Sequence, residues 1–177
     1  MNSLLKRHVN MSDENDLQTP PQAVEIIIPY LKKFSVAWEC ASGEEYISSV
    51  LRKNGIRVIE TDIKTGYDFL SVENMPNSSI ELIITNPPYN LKDKFLEKCF
   101  YFWKKYRTAF ALLMPTTALG GIKRVGLYIE NGLEILVPDR RVNFIYDGAK
   151  DRSWFHTSWF CKGVLPEKLM FTRMEKK

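Results

Sequence analysis

The segment Leu82–Asn90 reads LIITNPPYN, an apolar, β-branched run that ends in Asn86, Pro87, Pro88 and Tyr89. Two prolines stiffen the backbone and remove local N–H donors that would otherwise compete for the neighbouring carbonyls. Asn86 adds an amide oxygen at the same place. The result is a rigid set of acceptors able to hold a planar amino group. Tyr89 offers a ring on which a flat base or amide can stack. Asn-Pro also favours turns, so a simple strand-terminating turn is the competing reading. A given four-residue string arises in a chain of this length less than about once in a thousand times by composition alone.

Two other strand-like runs end in acids. WECASGEE puts Glu39 at the end of SVAWE, and RVIETDI carries Glu60 and Asp62. In an open α/β sheet, ligands bind beyond the carboxyl ends of the strands, so these ends and Asn86 converge on one site. CASGEE has one glycine where a dinucleotide-binding turn uses three, and its Glu44 and Glu45 would repel phosphates. A phosphate-free ligand with a positive centre suits this acidic rim.

The elements that must position these groups alternate. Thr19 is expected to cap a helix with Pro20 at its first position and Ile27, Tyr30, Leu31 and Phe34 inward, kinked or cut short at Pro29. SVAWE, RVIETDI, IELIIT, FALLMP, EILVP and RRVNFIY read as strands. EEYISSVLRKNG, LKDKFLEKCFYFWKKY and TALGGIKRVGLYIENG read as helices, the first and last stopped by Gly55 and Gly132. SWFCKG and KLMFTRM are expected to form a closing antiparallel pair. This alternation predicts a doubly wound, Rossmann-like α/β sheet of about seven mostly parallel strands with helices on both faces. Residues 1–18 are polar and mixed in charge and read as a flexible tail, leaving 19–177 as a single domain.

The 177 residues are 45% hydrophobic and 26% charged, the profile of a globular protein with a sizeable core. No apolar run is long enough to span a bilayer and the N-terminus lacks a signal-peptide pattern, so no membrane partner and a cytoplasmic location are expected. Three separated cysteines and two histidines support neither a disulfide framework nor a metal site. The net charge of +4 is compatible with a nucleic-acid partner.

In these motifs the chain resembles the adenine-specific N6 DNA methyltransferases, class I enzymes that use S-adenosylmethionine. The resemblance covers roughly residues 19–165. Asn86, Pro87, Pro88 and Tyr89 match the family's catalytic tetrapeptide in full. Thr19 and Pro20 in TPPQ look like the segment beside the methionine part of the cofactor. Glu39, Ala41 and Gly43 resemble the cofactor loop, although Glu45 stands where the family has its last glycine. Asp62 looks like the acid that takes the ribose hydroxyls, with Glu60 the competing choice. Asp68 and Phe69 resemble the pair at the cofactor adenine. Trp159 and Phe160, in TSWF, are similar to a late aromatic segment near the target base.

The resemblance implies methyl transfer from S-adenosylmethionine to adenine N6, in DNA first and RNA second. Asn86 Oδ1 and the Pro87 carbonyl would accept the amine protons, with Tyr89 stacking on a flipped base. Lys92, Lys94 and Lys98 would lie against phosphates. A protein glutamine methyltransferase and a non-catalytic binding subunit are the rival readings. No stretch is left over for a separate target-recognition domain, so a recognition subunit or a homo-oligomer is the expected partner besides nucleic acid.

Overall fold

Two strands, β1 (Val36–Glu39) and β3 (Leu82–Thr85), are buried at every residue. Unbroken apolar runs of this kind suit strands covered on both faces, and both lie inside the sheet. A computed structural model of the chain describes residues 17–146, 149–150, 153 and 155–175. The other strands are β2 (Arg57–Glu60), β4 (Ala109–Pro115), β5 (Glu134–Pro138), β6 (Ile145–Tyr146), β7 (Ala149–Lys150), β8 (Thr157–Lys162) and β9 (Leu169–Thr172). The helices are α1 (Pro21–Glu25), α2 (Ile28–Leu31), α3 (Tyr46–Lys53), α4 (Lys92–Tyr106) and α5 (Ile122–Asn131), with 3₁₀ turns at Ile63–Thr65 and Thr116–Leu119.

Seven strands form one sheet in the order β2-β1-β3-β4-β8-β5-β9, and β6 pairs with β7 apart from it. The pairs among β2, β1, β3 and β4 are parallel. Only β8 runs antiparallel, between β4 and β5, while β9 lies parallel to β5. The expected hairpin between SWFCKG and KLMFTRM is therefore not formed, because β5 sits between them. RRVNFIY contributes only the short β6, and Val142 and Phe144 are instead buried in the core.

The sheet carries a core on each face. Ala23, Val24, Ile27 and Leu31 of the first segment and Ile47, Val50 and Leu51 of α3 pack against Leu82, Leu113 and Trp159. Phe95, Leu96, Cys99, Phe100 and Phe102 of α4 cover Trp38, Ile83, Phe110, Leu112 and Phe160 on the other face. The predicted first helix is split in two, with Pro29 in the first turn of α2, where its missing N–H has no partner to lose. Thr19 does not cap it: Pro20 holds the cap position and Pro21 starts α1. Among the described residues no helix is long and apolar enough to cross a membrane.

Candidate active site

The carboxyl ends of β1, β2 and β3 meet at a crevice lined by Thr19, Glu39, Ala41, Gly43, Asp62, Asp68, Phe69, Asn86 and Pro88, among others. Its empty space, open mouth included, is about 810 Å³. The convergence read from the strand ends is thus present in space.

Glu39 is 1% exposed and accepts both the backbone N–H of Ser48, at 2.9 Å, and the Ser48 hydroxyl. Burial pushes its carboxyl from an ordinary 4.5 up to about 8, against the lowering effect of the two Ser48 hydrogen bonds, with the Glu60 charge adding to the rise. At neutral pH the carboxyl carries a proton. Burial also holds the Cys40 thiol, on the same wall, well above its ordinary value, so it supplies no thiolate.

Asp62, beyond the end of β2, staples the loop after β1. Its Oδ2 accepts the Gly43 N–H at 3.0 Å and its Oδ1 the Lys64 N–H at 2.8 Å. Glu60 does not line the crevice and is paired with Arg52. Gly43 lies at φ +50, with the Gln18 amide where a Cβ would need to be. Glu45 adopts φ 59 and ψ 22, the left-handed conformation of a glycine, and so restores the backbone shape that its side chain disfavours. Asp68 binds the Leu70 N–H at 2.9 Å. Phe69 is 2% exposed, stacked on Phe95 and edge-on to Trp38.

Asn86 is held by its amide nitrogen, which donates to the Leu17 carbonyl at 3.0 Å. Only the nitrogen can donate to a carbonyl, so the contact fixes the amide's orientation. Its Oδ1 is buried and, among the described residues, has no hydrogen-bond partner, and Thr19 Oγ1 is in the same condition. A buried acceptor without a donor costs about 1–3 kcal/mol, which marks the place where a ligand donor would be welcome. The Pro88 carbonyl is taken by the Leu91 N–H at 2.9 Å, so it is not among the free acceptors at the motif.

Several expected site residues stand outside the crevice lining. Pro20 and Pro87 are buried beside it. Tyr89 is 7% exposed and packed edge-on against Phe144 and Phe155. Lys92 donates to the Tyr89 carbonyl at 3.0 Å. Trp159 and Phe160 are fully buried within the interior strand β8, and the Trp159 indole N–H donates to the Ala23 carbonyl at 2.7 Å. They are core residues that pin α1 and the sheet, and this corrects their reading as a base platform.

Two features escaped sequence reasoning. Leu17 and Gln18 fall in the expected tail but form part of the site, Gln18 exchanging backbone hydrogen bonds with Ile145 at 2.8 and 2.9 Å. Residues 1–16 lie outside the described residues. Ile63 is 69% exposed and lines the crevice next to Asp62, an apolar contact signalled only by its place after the acid. Among the described residues no cluster of His, Cys, Asp or Glu could hold a metal ion.

No protein-family model and no curated protein matches the chain. Among solved structures it superposes, with a TM-score of 0.59, on the methyltransferase subunit of a type I restriction-modification system from Streptococcus thermophilus. The identity is 14%, over 89% of this chain and 47% of that one, so the chain spans about half its length. A predicted O-methyltransferase from Agrobacterium tumefaciens matches at 17% identity and a TM-score of 0.38, over 82% and 69% of the two chains. At this identity the first likeness is one of fold. The protein has the class I, Rossmann-like methyltransferase fold.

Proposed function

We propose that the protein is an S-adenosylmethionine-dependent methyltransferase acting on the N6 amino group of adenine in DNA. The observation that carries this reading is the buried Oδ1 of Asn86, without a partner among the described residues, at the rim of a crevice built from three strand ends. An acceptor without a donor, fixed in place by Leu17, fits a planar amino group.

The residues present also fit the cofactor. Asp62 and Asp68 supply acceptors for ribose and adenine groups, Phe69 and Ile63 supply apolar surface, and Glu39 and Thr19 face a positively charged amino-acid end. When bound, S-adenosylmethionine supplies a methyl group already activated by its sulfonium. The chain's part is alignment and charge stabilisation. Asn86 Oδ1 accepts an amine proton more strongly as positive charge develops on the nitrogen, and the Pro87 carbonyl offers a second acceptor. Tyr89 can stack on an extruded base only after emerging from its contacts with Phe144 and Phe155. Lys92 reaches phosphate only by leaving the Tyr89 carbonyl.

The test is transfer of a labelled methyl group to duplex DNA, single-stranded DNA, RNA and protein, followed by nucleoside and amino-acid analysis. N6-methyladenine in DNA is the expected product. Labelled glutamine or an RNA-only product would replace the substrate class, and no transfer to any of them would overturn the assignment. Asn86→Ala should lower turnover by about a hundredfold or more while the protein stays folded and keeps most of its cofactor affinity.

A further inference from the structure

Three short segments of the chain meet at the crevice: residues 17–18, 41–44 and 85–86. Each is hydrogen-bonded to the next, and the bonds close a circuit. The Leu17 carbonyl accepts the Asn86 amide N–H at 3.0 Å, and the Thr85 hydroxyl donates to the Ala41 carbonyl at 3.4 Å. The Glu44 N–H donates to Gln18 Oε1 at 3.1 Å and completes the ring. Only the oxygen of the Gln18 amide can accept from a backbone N–H, so this contact sets which way the amide faces. The amide also fills the space beside Gly43, its Oε1 2.8 Å from the place a Cβ would take. From outside the circuit, two backbone hydrogen bonds with Ile145 of β6 anchor Gln18. Consecutive N–H groups of the loop after β1 are thus held by side chains of two different elements, Gly43 by Asp62 and Glu44 by Gln18.

We infer that Gln18 is a positioning residue for methyl transfer, closing this circuit so that Asn86 Oδ1 keeps one setting relative to the cofactor loop. The inference rests on the proposed role of Asn86. Gln18 does not bond Asn86 itself. It acts through Leu17, whose carbonyl orients the Asn86 amide and whose own place is set by the clasp next to it in the chain. The circuit joins the two walls that must agree: the 41–44 loop on the side of the methyl donor, and Asn86 on the side of the amine. In-line transfer needs donor and acceptor aligned, and a displacement of about 1 Å costs up to about a hundredfold in rate. A half-exposed glutamine at the end of a polar stretch is thereby given a task that its residue type does not announce.

The experiment is Gln18→Met, which keeps the length of the side chain and removes the acceptor, in a double-variant cycle with Asn86→Ala. Melting curves verify that the variants fold. At saturating S-adenosylmethionine and DNA, Gln18→Met should lower kcat by roughly tenfold. Added to Asn86→Ala it should lower kcat little further, because its effect passes through Asn86. A parent-like kcat with only a raised cofactor KM, or losses that multiply in the double variant, overturns the inference. A second readout needs no turnover: the side-chain amide NMR signals of Asn86, recognised by their absence in Asn86→Ala. Their protons should exchange with solvent several-fold faster in Gln18→Met than in the parent. Unchanged signals and exchange overturn the inference whether or not the protein transfers methyl groups. An inactive parent whose Asn86 signals respond would retain Gln18 as the residue that sets Asn86 and would overturn the proposed function alone.

Discussion

At the residue scale the described carboxyl most altered by its surroundings is Glu39. It is recognisable in the sequence as a strand-end acid, but its proton is not, because the proton depends on burial beneath α3. The folded carboxyl titrates near 8 rather than 4.5. The folded state therefore binds a proton that the unfolded chain releases, and stability falls as pH rises from about 4.5 to about 8. Glu39→Gln keeps an oxygen for the two Ser48 hydrogen bonds and has nothing to titrate. Its stability relative to the parent should grow by about 2–4 kcal/mol between pH 5 and pH 9, measured by urea unfolding. A constant difference across that range would show that Glu39 keeps an ordinary carboxyl. Asn86 and Asp62 are legible for a different reason. Their chemistry follows from residue type and from the end of the strand that carries them.

At the element scale, the loop from β1 to α3 stands on a residue that does not suit it. Glu45 is left-handed at the start of α3 and offsets the strain only through an exposed ion pair with Arg52 at 3.4 Å, of small value. Glu45→Gly should stabilise the protein by up to about 1 kcal/mol, and Glu45→Val should destabilise it by at least as much, both read from thermal melts. Loss of stability in the glycine variant would mean that the Glu45 side chain contributes more than its conformation costs. Most elements were legible because unbroken apolar runs, helical spacing and glycine stops are local signals. The arrangement at the C-terminal edge was not. Consecutive strands suggest a hairpin, whereas the insertion of β5 between β8 and β9 is decided by pairing across distant parts of the chain. Burial of Trp159 and Phe160 follows from the same insertion, which turns a late aromatic pair into the middle of a sheet. Asn86's tie to Leu17 joins residues far apart in sequence and leaves no local trace.

At the scale of the whole molecule, what lies outside the strands and helices among the described residues is a set of irregular segments: residues 66–81 ahead of β3, the turn at Thr116–Leu119 and the segments flanking β6 and β7. Each base contact from such a segment discriminates by only about 1–3 kcal/mol. Under the proposed function, the isolated chain should methylate adenines with low sequence selectivity and should favour single strands, which avoid the cost of extruding a base. Sequencing the modified sites checks this, and a fixed motif of about four or more bases, read by the chain alone, would refute it. The antiparallel β8 has a further consequence, for the order in which the chain takes shape. β4 ends at Pro115 and β5 at Pro138, yet the strand that joins them begins only at Thr157. During synthesis β2, β1, β3 and β4 can associate first, while β5 waits without a neighbour until β8 emerges. Pairings across such distances in the chain form slowly. β9 follows β8 in the chain, so the far edge of the sheet is laid down after its antiparallel strand.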